Sequence, residues 1–522
     1  MKLKKLLKAV DVKNISGLLN KEGKALPDPD IGSIHFDSRD VKPCGLFVAV
    51  PGFTVDGNQF IDQAIENGAA AVVTQNKINK NTVIIQVENS RKALGQLAAR
   101  FYGNPSESLV VIGITGTNGK TTTACIIEKI LYAAGVNPGV IGTINCHFSG
   151  NTYKNPRTTP ESLDLQRIMA TMLKSGVTHV VMEVSSHALD LLRIECCRLD
   201  VGVFTNLTQD HMDFHKGMES YWECKKKMFT EHLCSGPKKN FAVAVINCLN
   251  KRGKELEGKL DINKISVGCL ENSMVRPENI SYSRSGITGK ISTPKGSFEF
   301  KSRLAGKYNL ENILCAAGTG IALDINLNAI KKGIEETRAV PGRLEQVEDK
   351  AGKTSGKQRT VYVDYAHTPD ALENVLASIK SMTKGRVICV FGCGGCRDRD
   401  KRPLMGEIAG KLCDLAVITS DNPRTEPPDK IIEDIVAGIK RTSLSSYLIS
   451  DLKKGMNGYT VEPDRRRAIN KAIMAVTSID DTVLIAGKGH ETCQIIGKDF
   501  LEFDDRKEAE KALLQHGAIY AD

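Results

Sequence analysis

The chain has 522 residues, enough for about three domains at roughly 150 residues each, and its 25% charged and 41% hydrophobic content is that of a globular protein. A net charge of +10 with a single Trp and 5% aromatics leaves little material for base stacking, which favours anionic small molecules over nucleic acid as ligands. No apolar run reaches the ~18 residues of a spanning helix, the basic start MKLKKLLKAV is too short and interrupted for a signal peptide, and fifteen irregularly spaced cysteines read as the reduced thiols of a cytoplasmic protein.

Three α/β blocks follow one another along the chain. In the first, 1–106, short β-like runs such as GLFVAV (Gly45–Val50) and AAAVVT (Ala69–Thr74) alternate with helical patterns, and the turn-rich YGNPSES (Tyr102–Ser108) reads as a linker. The second, 107–340, opens on the apolar strand LVVIGIT (Leu109–Thr115), passes through a Gly-rich turn and enters the helical TTTACIIEKILYAAG. The strands THVVMEV (Thr178–Val184), VGVFTNL (Val201–Leu207) and FAVAVIN (Phe241–Asn247) then recur between helical patterns. Continuous Val/Ile-rich runs alternating with helices predict a parallel sheet covered on both faces. Over Ser281–Phe300 the period shifts to two, which predicts a small antiparallel appendage. The third block, 341–522, predicts a second, Rossmann-like α/β sheet from TVYVDY, RVICVF, LAVITS and TVLIAG, with the polar Glu348–Arg359 as a hairpin loop.

The turn TGTNGKTT (Thr115–Thr122) lies between a buried strand and a helix, where glycines let backbone N–H groups approach phosphate and the helix N-terminus adds positive potential. Gly116, Thr117, Asn118, Gly119, Lys120, Thr121 and Thr122 therefore read as a nucleotide cradle, with Lys120 on the β/γ-phosphates and the Thr121 hydroxyl on Mg²⁺, although Ile114 stands where the common pattern has Gly. Glu183 ends the next strand, and TNLTQDHMDFH brings Asp210, His211, Asp213 and His215 to the same sheet edge. Glu183 and His211 are thus candidates for a divalent cation beside the nucleotide. In YWECKKKMF one of Lys225, Lys226 and Lys227 can face a given site, and a solvated face suits Lys226 and Lys227.

In the third block, FGCGGCRDRDKRP, SDNPRTEPP and AGKGHETCQ follow three strand ends, so Arg397, Asn422, Arg424, Gly487 and Glu491 converge on one ligand. Two guanidinium forks and a carboxylate suit a ligand that carries both carboxylate and ammonium. GCGG is not a dinucleotide fingerprint, and the Cys393–Cys396 pair has no second pair or histidine partner nearby that would make a zinc site.

GTNGKT, MEVSSH, TNLTQDHMDFH, Tyr308-Asn309-Leu310-Glu311-Asn312 and DYAHTP (Asp364–Pro369), in that order, resemble the Mur ligases, ATP-dependent amide ligases of peptidoglycan precursor synthesis, over nearly the whole chain. DSRDVKPCGLFVA (Asp37–Ala49) and DNPRTE (Asp421–Glu426) narrow the resemblance to members that add meso-diaminopimelate to a UDP-muramoyl-dipeptide. The resemblance implies an N-terminal UDP-binding domain, a central ATPase domain and a C-terminal amino-acid domain. It implies catalysis by Lys120, Glu183, His211 and Lys225, with Lys225 carbamylated and joining Thr121, Glu183 and His211 around Mg²⁺, two ions in all. Asn309, Asn312, Arg343, Asp364 and His367 resemble ATP contacts, helix capping being the other reading of the NLEN asparagines. Ser38 and Arg39 resemble UDP contacts; Thr158, Thr159, Ser185 and Arg193 resemble contacts to the muramoyl-dipeptide; and Asp421 and Pro423 join the diaminopimelate set. Cys396 departs from the aspartate usual before Arg397 in the family. A monomer acting on small molecules, without nucleic acid or membrane insertion, is expected. A lysine-adding relative, a folylpolyglutamate-synthase-like ligase and a P-loop NTPase switch remain open alternatives at this point.

Overall fold

A computed structural model describes residues 1–17, 27–52, 55–155, 157–355, 358–452 and 455–516. Three sheets organise it, each in its own lobe. The N-terminal sheet runs in the order Val12–Ser16, Val83–Val87, Ala69–Thr74, Gly45–Val48, Ser33–His35, parallel except for its first strand. Along Gly45–Val48 alternate residues serve opposite faces: Leu46 and Val48 join a cluster with Val73 and Ile85, while Phe47 packs with Val72 and Ile84.

The central sheet has eight strands in the order Asn263–Val267, Val243–Asn247, Val201–Phe204, Val110–Thr115, His179–Glu183, Pro138–Ile141, Cys146–Phe148, Asn151–Tyr153; the first six are parallel and the last two form antiparallel hairpin pairs. Ile112 and Ile114 face the helices Lys120–Ala133 and Lys307–Ala322, and Val111 faces the layer containing Trp222 and Phe229. Burial on both faces explains the continuous apolar runs. Register aligns the functional edge: Glu183 stands opposite Ile114 and Phe204 opposite Thr115, so three neighbouring strands end beside the phosphate-loop sequence. The expected antiparallel appendage is the sheet Arg276–Ser283, Gly286–Thr293, Gly296–Ser302.

The third lobe has seven strands in the order Glu345–Val347, Thr360–Asp364, Thr482–Ala486, Val387–Phe391, Leu415–Ile418, Gly458–Val461, Ser446–Tyr447. All pairings are parallel except that of the first strand. The strand Gly458–Val461 has no counterpart in the sequence reading, because four residues give no periodic signal. The stretch Glu348–Arg359 does join an antiparallel pair, but it holds a helix, Lys350–Ser355, rather than a plain hairpin loop. Asp349 accounts for it: its carboxylate accepts from Gly352 N at 2.9 Å and pairs with the buried Arg359 at 3.0 Å, and Arg359 also donates to Leu513 O. Among the described residues no helix is long and apolar enough to cross a membrane.

Candidate active site

The strand Val110–Thr115 is central in its sheet, and its carboxyl end runs directly into the helix Lys120–Ala133. Two glycines make that passage possible. Gly116 has φ +151, and a Cβ there would lie 1.9 Å from Thr205 Oγ1; Gly119 has φ +86, with Asn312 Oδ1 2.2 Å from where a Cβ would sit. The loop is stitched to the neighbouring strand end: Thr117 N donates to Asn206 O (3.0 Å), Asn118 N to Asn206 Oδ1 (2.9 Å), and Thr205 Oγ1 to Asn118 O (2.6 Å). Lys120 Nζ folds back onto Gly116 O and Thr117 O, both at 2.9 Å. Burial pulls its pKa down while Glu183 and Asp210 oppose the drop, as expected for a cation waiting for an anionic ligand.

Glu183 is buried and saturated with donors: Thr121 Oγ1 lies 3.0 Å from both its oxygens, and Thr143 donates from N (2.8 Å) and Oγ1 (2.9 Å). Of the three successive lysines, Lys225 is buried and donates to Gly116 O at 2.8 Å, whereas Lys226 pairs with Glu223 at the surface. Lys225 Nζ also lies 4.6 Å from the centre of the Tyr221 ring. Burial, reinforced by the neighbouring Lys120 charge, holds its pKa well below the lysine range. His211, at φ +58, packs edge-on to His187 at 4.8 Å, and burial lowers it to about 3, leaving an imidazole lone pair free of a proton.

These groups fit Mg²⁺ as a set of one carboxylate, one hydroxyl and one neutral imidazole beside a phosphate cradle, since Mg²⁺ is commonly held by one or two carboxylates plus substrate phosphates. Among the described residues there is no cluster of three or more His, Cys, Asp or Glu that could hold a metal ion. Cys393 is buried against Met405, and the exposed Cys396 meets Thr425.

Thr158, Thr159, Ser185 and Arg193 gather next to Glu183. Thr158 meets Thr143 (3.1 Å), and Thr159 Oγ1 donates to Glu183 O (2.8 Å) and accepts from Ser185 N (3.2 Å). Arg193 donates to Thr159 O (3.3 Å) and pairs with Glu161 at 3.1 Å. Ser38 and Arg39 are not in this group. Ser38 is buried on Gln63 (2.6 Å), and the exposed Arg39 pairs with Asp37 (2.6 Å) in the N-terminal lobe.

The third lobe closes onto this edge. Arg343 stacks on Tyr365 (4.3 Å) and reaches Thr121 Oγ1 (3.4 Å), Asn118 Nδ2 donates to Asp370 (2.9 Å), and Arg397 lies 3.9 Å from Asp213. Asp364 accepts from Leu344 N (2.6 Å) and Ala366 N (2.7 Å), which shapes the turns that carry Arg343 and His367. His367 is bonded through Nδ1 to Tyr365 O at 2.9 Å. A cavity of about 220 Å³ spans the junction; Asp210, His211 and Asp213 line one side and Arg397, Asp421, Asn422, Arg424, Gly487 and Glu491 the other. Gly394 separates the two arginines: a Cβ there would press Arg424 Nη1 at 3.0 Å and meet Arg397 Cγ at 3.8 Å. Arg424, at φ +53, spends Nη1 on the carbonyl of Gly395 (2.9 Å). Pro423 packs its carbonyl against Gly395, and Asp421 leaves no room for a side chain at Gly487, where a Cβ would lie 2.5 Å from its Oδ2.

Capping does not describe Asn309 or Asn312. The N-cap is Gly306; Asn309 donates to Ala305 O (2.6 Å), and Asn312 bonds Asn309 Oδ1 (3.0 Å) while its own Oδ1 backs the phosphate loop. Sequence reasoning missed Tyr365, which joins Arg343 to the cavity, and Lys488, a fully buried cation beneath Glu491. Both lie inside motifs already singled out, DYAHTP and AGKGHE, but nothing in their spacing announces a role.

Three family models match the chain in order: "Mur ligase family, catalytic domain" over residues 30–102, "Mur ligase middle domain" over 114–320 and "Mur ligase, glutamate ligase domain" over 342–489. The chain is 44% identical to the UDP-N-acetylmuramoyl-L-alanyl-D-glutamate–2,6-diaminopimelate ligase of Geobacter metallireducens, covering 98% of each chain. It is 43% identical to the protein of that name from Bacillus cereus, covering 93% of this chain and 94% of that one. A solved structure titled as the same ligase superposes with a TM-score of 0.66 at 28% identity, covering 99% of this chain and 100% of that chain.

Proposed function

The chain belongs to the Mur ligase family, and on that footing we propose that it uses ATP to join meso-diaminopimelate to the D-glutamyl γ-carboxylate of UDP-N-acetylmuramoyl-L-alanyl-D-glutamate, releasing ADP and phosphate. The observation that carries this reading is the shared cavity, in which groups beside the phosphate loop face two arginines, an asparagine and a glutamate. A ligase needs that juxtaposition because a carboxylate is a poor electrophile and must be activated within reach of the amine. The γ-phosphoryl group passes to the glutamyl carboxylate, breaking the bond to ADP and forming an acyl phosphate. The amine attacks the acyl carbon, loses a proton, and phosphate leaves with the electron pair of the broken C–O bond.

In this reading residues 1–106 hold the UDP part through Ser38 and Arg39, 107–340 bind ATP, and 341–522 bind the amino acid. Lys120 swings from its own loop carbonyls to the β/γ-phosphates, and Arg343, already at Thr121, adds a second positive charge. Asn309, Asn312, Asp364 and His367 frame the nucleotide around that junction. Thr158, Thr159, Ser185 and Arg193 place the dipeptide beside Glu183. The Lys225 amine, in its unprotonated form, would add to carbon dioxide, forming an N–C bond and releasing a proton, and the resulting carbamate would join Thr121, Glu183 and His211 in holding Mg²⁺. Held there, Mg²⁺ (two ions in this reading) would neutralise charge on the phosphoryl oxygens. Native mass spectrometry in bicarbonate tests the carbamate; an unmodified Lys225 in the metal- and nucleotide-loaded enzyme would refute it.

Arg397 and Arg424 take the far carboxylate of diaminopimelate and Glu491 its ammonium, with Asp421, Asn422, Pro423 and Gly487 shaping the floor. L-lysine has no far carboxylate for the arginines. The protein acts as a cytoplasmic monomer. Phosphate release with UDP-muramoyl-dipeptide, comparing diaminopimelate with lysine, tests the assignment: release should follow diaminopimelate, and equal release with lysine would overturn the choice of amino acid.

A further inference from the structure

Lys488 follows the strand Thr482–Ala486, is 0% exposed, and has no part in the chemistry above. Its Nζ donates to Asn422 Oδ1 (3.0 Å), Glu491 Oε2 (3.1 Å) and Cys493 O (2.6 Å). Asn422 Oδ1 also accepts from Ile495 N at 3.0 Å, which fixes the amide so that its Nδ2 donates to the same Glu491 Oε2 at 2.8 Å. Two donors thus converge on one oxygen of Glu491 and leave Oε1 to a ligand in the cavity that Glu491 and Asn422 line. The loop is tied from outside as well: Arg424 N donates to Ile495 O (3.0 Å), Gly497 N to Arg424 O (2.7 Å), and Gln494 Nε2 to Asp421 O (2.7 Å).

We propose that Lys488 is a positioning residue that sets amino-acid specificity: it fixes Glu491 as the acceptor for the distal ammonium and cancels its charge, so that a zwitterionic far end is preferred to a lone cation. The inference rests on reading this cavity as the diaminopimelate site. The far end of diaminopimelate carries ammonium and carboxylate together and is neutral; that of lysine is a bare cation. With Lys488 beneath Glu491 the pair has no net charge, so a lone ammonium gains little, while a carboxylate still meets Arg397 and Arg424. Without Lys488 the half-buried glutamate carries an uncompensated charge that attracts lysine and loses its fixed geometry.

The test uses the full-length enzyme and steady-state phosphate release with either amino acid, in wild type, Lys488→Met, Glu491→Gln and the double variant. Lys488→Met should raise the KM for diaminopimelate about 10- to 100-fold, the size expected when a charge-assisted buried bond is removed. The KM values for ATP and UDP-muramoyl-dipeptide should hold, and the diaminopimelate-to-lysine ratio of kcat/KM should fall by a similar factor. The double variant should fall within about 3-fold of Glu491→Gln, because coupled residues are not additive. An unchanged diaminopimelate KM, an equal rise in the ATP KM, or fully multiplicative losses would overturn the proposal. Should Lys488→Met fail to fold, the double variant, which leaves neither charge unpaired, is compared with Glu491→Gln alone: parity supports the role, and a further loss of about 10-fold or more refutes it. A wild-type enzyme with no diaminopimelate-dependent release would instead remove the underlying assignment.

Discussion

Gly119→Ala places one methyl group where the structure has no room for it. At φ +86 an alanine costs about 1–2 kcal/mol in backbone strain. Its Cβ would stand 2.2 Å from Asn312 Oδ1, so the Asn312 amide has to move. That amide donates to Asn309 Oδ1 (3.0 Å) and accepts from Thr123 Oγ1 (3.4 Å), and each bond disturbed costs about 0.5–1.5 kcal/mol. The total, about 2–5 kcal/mol, either distorts the phosphate loop or weakens the lobe. Isothermal titration with a non-hydrolysable ATP analogue, alongside thermal melting, separates the two. Affinity for the analogue should fall at least about 30-fold, the equivalent of ~2 kcal/mol, while diaminopimelate kinetics at saturating ATP keep their KM. Adding Asn312→Ala should recover part of the strain, so the two changes combine less than additively. A Gly119→Ala enzyme with wild-type nucleotide affinity would refute the claim that this contact shapes the cradle.

Lys120→Ala should abolish turnover while preserving the melting temperature, checked by coupled ADP release; normal amide formation would remove Lys120 from phosphoryl transfer. Arg424→Ala should raise the diaminopimelate KM about 30-fold or more, as expected when a carboxylate loses a charge-assisted partner, and leave the ATP KM unchanged in the same assay. The half-buried His232 is held down by desolvation to about 4 against an ordinary 6.5, so the unfolded chain binds a proton that the folded chain refuses between those values. Its contribution is full above about 6.5 and is lost as pH falls toward 4, so His232→Asn should flatten the acid limb of stability measured by urea unfolding between pH 4 and 7.

Much of the fold was legible because strands buried on both faces write themselves as Val/Ile runs, and parallel topology sends all their carboxyl ends to one edge. That is why the sequence alone places GTNGKT, MEVSSH and TNLTQDH side by side. What stayed hidden depends on partners far away in sequence. Asn312 meets Gly119 only because the helix Lys307–Ala322 packs along the helix Lys120–Ala133. Asn118 reaches Asp370 across 252 positions. Lys488 looks like a solvated loop cation until the hairpin Cys493–Ile496 with Asp499–Glu502 covers it and supplies a carbonyl. The helix Lys350–Ser355 is not legible in the sequence because its Gly and Ser content reads as loop, and the buried Asp349–Arg359 pair that anchors it has no periodic signature.

The central claim is that one cavity activates a carboxylate and presents it to an amine. An isotopic label decides it: UDP-muramoyl-dipeptide carrying heavy oxygen in its D-glutamyl γ-carboxylate, turned over with ATP and diaminopimelate, with the released phosphate read by mass spectrometry. The account predicts that one heavy oxygen passes from the carboxylate into phosphate for each amide formed, because the acyl C–O bond breaks when the amine attacks. Unlabelled phosphate would mean that ATP gave its phosphoryl group to water, and the ligase mechanism would be contradicted.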